Sequence, residues 1–117
     1  RDIPELKIRR LCAGDEPVAA DMFAMMVAVF DEGDACEPPD LEYVRGLLAR
    51  PDFFAVAAIE GGNVIGGVTG HVLPMTRSRS SELFIYDLAV RPDRQRRGVG
   101  RALVAAIRET AAAQGIA

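Results

Sequence analysis

The stretch Leu83 to Arg101, LFIYDLAVRPDRQRRGVGR, decides the fold. Leu83 to Val90 is short, β-branched and aromatic, and it lies between a Ser cluster and Arg91-Pro92-Asp93, so it is expected to be a buried strand. From Gly98 to Gln114 the composition turns to Ala, Leu, Arg and Glu. Val99, Leu103, Ala106 and Ile107 recur there at helical spacing, and Gly115 supplies a stop. A strand therefore enters a helix through a tight basic turn. The first N–H groups of a helix lack partners within it and carry partial positive charge, so an anion placed there gains hydrogen bonds. Gly98 and Gly100 keep side chains away from that backbone. Arg91, Arg94, Arg96, Arg97 and Arg101 put five guanidinium groups within eleven residues against one acid, Asp93. That density suits several phosphates better than one and makes a pyrophosphate-bearing cofactor the expected ligand.

Gln95-Arg96-Arg97-Gly98-Val99-Gly100 also matches the pattern Q/R-x-x-G-x-G/A, placed after a strand of the form L-x-V-x-P and at the opening of a helix. In this the chain resembles the GNAT superfamily of N-acetyltransferases. No G-x-G-x-x-G follows a first strand and no G-K-[ST] occurs, which excludes the Rossmann and P-loop readings. The resemblance implies an α/β fold with a mixed sheet, the acyl-CoA N-acyltransferase fold, and acetyl-CoA as co-substrate. It maps Leu88, Ala89 and Val90 to the strand backbone that pairs with the pantetheine arm, where an N–H would also polarise the thioester carbonyl. It maps Gln95, Arg96, Arg97, Gly98, Val99, Gly100 and Arg101 to the pyrophosphate turn.

The rest of the chain bounds the setting. Its 117 residues suit one domain, and 50% hydrophobic content with a net charge of −3 describes a globular chain. No apolar run approaches the ~20 residues of a membrane-spanning helix, and no signal peptide is visible. Cys12 and Cys36 have no metal spacing and are too few for a disulfide framework, which makes a reducing cytoplasm the expected compartment. With His71 as the one histidine, neither a zinc site nor a histidine-based triad is expected. Charge is uneven. Asp31, Glu32, Asp34, Glu37, Asp40 and Glu42 form an acidic segment without Lys or Arg, far in sequence from the arginine cluster. Nucleic acid is not an expected partner, because the basic cluster is local and the chain acidic overall.

In chain order, a first strand is expected over Glu5 to Leu11. A helix follows, with Asp15 as N-cap and Val18, Met22, Met25, Met26, Val29 and Phe30 on its apolar face. The acidic segment then loops to Asp40, which caps a second helix with Leu41, Val44, Leu47 and Leu48 on one face. Phe53 to Ile59 and Val64 to Leu73 form a hairpin about Glu60-Gly61-Gly62-Asn63. Gly66, Gly67 and Gly70 weaken the second strand and mark a bulge or a close approach. The order β-α-α-β-β-β-α is that of the first two thirds of a GNAT domain. The chain, residues 1–117, is thus expected to be one truncated domain without the C-terminal strands and helix, exposing a strand edge that favours a homodimer.

An amine must lose a proton before it attacks a thioester, so a base is needed near the donor. Asp87 is the candidate, because it interrupts an apolar strand just before the cofactor turn, and a substrate ammonium would offset the cost of burying it. Glu82, on the same strand, would bind a second ammonium or relay the proton. Tyr86 is expected on the opposite face, in the core, and His71 on the strand surface or in packing. Asp31, Glu32 and Asp34 would recruit a cationic substrate. Within the superfamily the chain is similar to the aminoglycoside 3-N-acetyltransferases, which implies acetyl transfer to a 3-amino group, direct and in a ternary complex, with antibiotic resistance as its consequence. The alternatives are a polyamine or protein amine as acceptor, or a non-catalytic acetyl-CoA-binding module.

Overall fold

The computed structural model describes residues 5–30 and 40–116. The elements follow as β1 (Leu6–Arg10), α1 (Glu16–Phe30), α2 (Leu41–Leu48), β2 (Phe53–Glu60), β3 (Asn63–Pro74), β4 (Ser81–Val90) and α3 (Val99–Ala113), with a short 3₁₀ turn at Pro92–Arg94. The strands form one antiparallel sheet in the order β1-β2-β3-β4. Helices α1 and α2 cover one face and α3 the other. The expected α/β order is present throughout.

The unbroken apolar run of β2 follows from this layering. Phe53, Ala55 and Ala57 pack towards α1 and α2, while Phe54, Val56 and Ala58 pack towards α3, so both faces of the strand are dry. Val99, Leu103, Ile107 and Ala111 form the buried stripe of α3. At roughly 1.5–3 kcal/mol per large apolar side chain, that stripe is the main force holding α3 to the sheet. The helix ends as Gly115 enters the left-handed region, at φ 76°. The N–H of Ile116 then donates to the Ala111 carbonyl at 2.9 Å and that of Gly115 to Ala112 at 3.0 Å, and Ile116 packs onto the core. Gly61 and Gly62 both have positive φ, as the two-residue turn between Glu60 and Asn63 requires.

The β3 glycines serve close packing by the chain's own helices. A Cβ on Gly67 would lie 2.5 Å from Cγ and Sδ of the fully buried Met22, and one on Gly66 would crowd Val99 and Leu103 at 3.2 Å. Gly67→Ala is therefore expected to destabilise the domain by about 1–3 kcal/mol through overpacking, read as a lower denaturation midpoint at unchanged slope. Met22 and Met26 are core residues, as expected.

Three local expectations are corrected. Leu83–Val90 is not a buried strand: β4 stands last in the sheet, its residues alternate in exposure, and Phe84 and Tyr86 are 52% and 65% exposed. Its continuous apolar sequence arises instead from one face packed on α3 and an edge left open among the described residues. Leu41 is exposed, so α2 turns only Val44 fully inward, with Leu47 and Leu48 half-buried. Asp15 stands at the start of α1, and its carbonyl accepts from Ala19, but its carboxylate turns back to the Cys12 N–H at 2.8 Å and to Arg9.

Candidate active site

The site is built on the last third of β4 and the turn after it. Between Thr69 and Gly70 the β3–β4 register shifts, so that Asp87 pairs with Thr69 but Ile85 pairs with Gly70. Tyr86 is the extra residue. Without the bulge, alternation would send Tyr86 and Asp87 to opposite faces, and Tyr86 into the core. With it, both line one pocket on the α1 face, and the Tyr86 ring meets His71 edge-on at 5.6 Å. The expectation of a core Tyr86 fails for that reason. His71 packs between Tyr86 and Phe53, in the packing role expected of it.

This pocket measures about 330 Å³. Its walls are apolar and aromatic: Phe23, Met26 and Phe30 from α1, Tyr43 and Leu47 from α2, Phe53 from β2. Asp87 is its one carboxylate, half-buried, with no hydrogen-bond or ion-pair partner among the described residues. Directly across the strand pair lies Thr69, 5% exposed, the one buried polar side chain among the described residues. Nothing in the sequence singles out Thr69, because its place opposite Asp87 is set by the register of β3 on β4. Glu82 sits five residues upstream of Asp87, exposed, opposite Leu73, and does not line the pocket. Asp31, Glu32 and Asp34 lie outside the described residues.

The edge of β4 carries the next part. The Arg91 N–H donates to the Ile65 carbonyl at 2.8 Å, which fixes Ala89 and Asp87 as the residues that exchange hydrogen bonds with β3. Leu88 and Val90 therefore turn N–H and C=O towards the open side. The Val90 carbonyl accepts there from the Gln95 side-chain amide at 2.9 Å. From Asp87 to Val90 this edge runs about 10 Å at ~3.3 Å per residue.

Beyond it the chain coils into an anion cradle. Arg96 has φ 67° and Gly98 φ 81°, two left-handed residues that turn successive N–H groups inward. No side chain caps α3, and its first helical hydrogen bond runs from Ala102 to Gly98, so the N–H groups of Val99, Gly100 and Arg101 remain open. Together with Arg96 and Val90 they line a pocket of about 290 Å³.

The five arginines divide into two sets. Arg91 donates to Asp93 at 2.8 Å; Arg94 donates to Glu60 at 2.7 Å and to Asp93 at 2.9 Å. Glu60, distant in sequence, is the second acid facing the cluster, and it corrects the expectation of one. Arg96, Arg97 and Arg101 have no acidic partner among the described residues. Desolvation works against ionisation of Asp93, but the Arg91 hydrogen bond and the charges of Arg91 and Arg94 outweigh it and hold its carboxyl below the ordinary value. Its contribution to stability is complete above the unfolded pKa and is lost as pH falls through the depressed one. The hydrogen bond from Arg94 to Glu60 in turn raises the Arg94 guanidinium pKa. These inner pairs brace the turn; of the other three, Arg96 and Arg101 line the cradle, whereas Arg97, expected there from the sequence, does not.

No group of His, Cys, Asp and Glu able to hold a metal occurs among the described residues. An exposed anion cradle lined by two guanidinium groups that have no acidic partner among the described residues, with a strand edge leading from it, has the shape and charge for a long diphosphate ester. Residues 19–117 match the Acetyltransferase (GNAT) family. An acetyltransferase of Pectobacterium atrosepticum is 32% identical over 101 residues, 81% of this chain and 64% of that protein. One from Sodalis glossinidius is 30% identical over the same shares. The chain thus spans 64% of the length of these curated relatives. Among solved structures, an aminoglycoside acetyltransferase from an uncultured soil metagenomic sample, in complex with sisomicin, superimposes with a TM-score of 0.88 at 33% identity, covering 96% of this chain and 73% of that one. A second aminoglycoside acetyltransferase from such a sample gives 0.85 at 31% identity, covering 96% and 75%. The turn at Arg96–Arg101, the strand that enters it and the family match agree: this chain belongs to the GNAT acetyltransferase family.

Proposed function

We propose that the chain carries both substrate sites of an acetyl-CoA-dependent N-acetyltransferase, and that its acceptor is an aminoglycoside acetylated on the 3-amino group. The observation that carries this reading is continuity. One strand edge joins the anion cradle to the pocket in which Asp87 is the lone carboxylate. Acetyl-CoA, when bound, supplies the thioester carbonyl that the amine attacks. Arg96, Arg97, Arg101 and the N–H groups that open α3 hold its phosphates. The N–H and C=O of Leu88 and the N–H of Val90 would pair with its extended arm, as a neighbouring strand does; the Val90 carbonyl is already engaged by Gln95.

Asp87 holds the acceptor as an ammonium and takes its proton as the nitrogen becomes nucleophilic. The apolar walls from Phe23, Met26 and Phe53 lower the local dielectric on one side of that ion pair, which strengthens it. Transfer is direct, without an acyl-enzyme: the N–C bond forms as the C–S bond breaks, and the proton that Asp87 takes from the amine balances the one that the departing thiolate takes up. Cys12 lies in the β1–α1 turn and lines neither pocket, and Cys36 lies outside the described residues. Glu82, together with Asp31, Glu32 and Asp34, remains part of the proposed acceptor recruitment. The proposal includes the cytoplasm as the place of action and a homodimer as the assembly.

Sequence similarity to two proteins named as aminoglycoside acetyltransferases supports this acceptor class. The test is calorimetric binding of acetyl-CoA, followed by thiol release with gentamicin, spermidine and a lysine peptide. Gentamicin is expected to give the highest kcat/KM, with the new acetyl group on the 3-amino nitrogen by NMR. A preference for spermidine or the peptide would replace the acceptor, and cofactor binding without turnover on any amine would leave a binding module.

A further inference from the structure

Helix α2 contains a glycine that its packing does not call for. Gly46 lies in the last turn of Leu41–Leu48, exposed, and among the described residues a Cβ built on it meets nothing within 4 Å. A glycine within a helix costs up to about 1 kcal/mol relative to alanine, and no contact among the described residues calls for it. What Gly46 does line is a groove of about 640 Å³ on the outer side of α2, with Glu42, Tyr43, Leu47, Arg50 and His71. Tyr43, Leu47 and His71 also line the Asp87 pocket, so the two concavities meet along those three residues. The Asp87 pocket and the groove at Gly46 are therefore neighbours that share these side chains.

The groove is acidic in effect. Arg50 is held at 2.9 Å by both carboxylate oxygens of Asp52, and that hydrogen-bonded pairing lowers the Asp52 pKa and neutralises the one cation in the groove. Glu42 has no ion-pair partner among the described residues. Tyr43, 59% exposed, lines both concavities and offers a ring face.

We infer that the groove over Gly46 is a second acceptor subsite, which seats a cationic ring carried at a distance from the reacting amine. The inference rests on the acceptor reading above and extends it. The ring lies flat on the Gly46 backbone and Tyr43, and its ammonium faces Glu42. Acceptors with a second charged ring use this subsite, and single-ring amines do not reach it. Residues of this kind act on KM for the long acceptor and leave the chemical step at Asp87 alone.

Gly46→Leu and Glu42→Gln test it. Leucine fits the free space and favours the helix, so Gly46→Leu is expected to keep or raise Tm while filling the subsite. Each variant should raise KM for sisomicin about 5- to 50-fold, within the usual range for one lost charged or ring contact, and leave kcat nearly unchanged. Turnover of 2-deoxystreptamine, a single ring, should stay at the level of the unaltered chain. Direct calorimetric titration of sisomicin reads the same loss without turnover. Parallel changes for both amines, or sisomicin binding equal in all three proteins, would overturn the subsite. If the unaltered chain acetylates neither amine, the acceptor reading fails, and the calorimetric comparison still decides the groove.

Discussion

Asp87→Asn is expected to lower kcat/KM for the acceptor amine by about 10²- to 10⁴-fold, the range supplied by a positioned general base. Asparagine keeps the volume and one hydrogen-bond acceptor but loses the charge that holds an ammonium and the basicity that takes its proton. The surroundings make the loss large. Asp87 opens into a pocket whose other walls are aromatic and aliphatic, with Thr69 as the polar neighbour across the strand pair. No second carboxylate lines that pocket to substitute for it. Acetyl-CoA affinity should remain within about two-fold, because phosphate binding lies some 10 Å or more along β4. The deficit should shrink as pH rises from about 6 to about 9, since a growing fraction of amine then arrives already deprotonated. A deficit that is constant over that range, with KM raised and kcat intact, would make Asp87 an anchor for the ammonium and another group the base.

The sequence was most legible where one physical cause acts alone. Gly61-Gly62 between apolar runs requires a two-residue turn, and the turn is there. Val99, Leu103 and Ile107 at helical spacing predict the buried face of α3, and Gly115 its end. The cradle was legible for the same reason, since its glycines and arginines are consecutive. What escaped depends on partners distant in the chain. The bulge at Tyr86 is a two-strand property: it arises from how β4 registers on β3, and no residue in FIYDLAV announces it. Arg94 is indistinguishable in sequence from Arg96, yet one is committed to Glu60 and the other is open. The Asp87 pocket escaped in the same way, because Phe23, Tyr43 and Phe53 reach it from three other elements. The pattern singled out the arginine–glycine turn and Asp87, but not the side chains that wall the pocket around Asp87.

Arg96→Gly combined with Arg97→Ala should weaken acetyl-CoA binding by about 10²- to 10⁴-fold, at roughly 1.5–3 kcal/mol for each charged hydrogen-bonding group removed. Arg96 holds a left-handed conformation, φ 67°, that costs a non-glycine residue about 1–2 kcal/mol. Glycine adopts it freely, so the variant removes the guanidinium without disturbing the turn, and thermal stability should hold or rise. That combination separates a phosphate ligand from a structural arginine. Arg91→Ala is the contrast: its guanidinium is engaged with Asp93 at 2.8 Å in a solvent-exposed pair, so cofactor affinity should change only a few-fold. Salt sharpens the test, because open charges facing phosphates are screened over about 8–10 Å at ordinary ionic strength. The unaltered chain should lose acetyl-CoA affinity steeply as salt rises, and the double variant much less. Equal affinity and equal salt dependence in the two proteins would show that the backbone N–H groups of Val99, Gly100 and Arg101 bind the phosphates without help from these side chains.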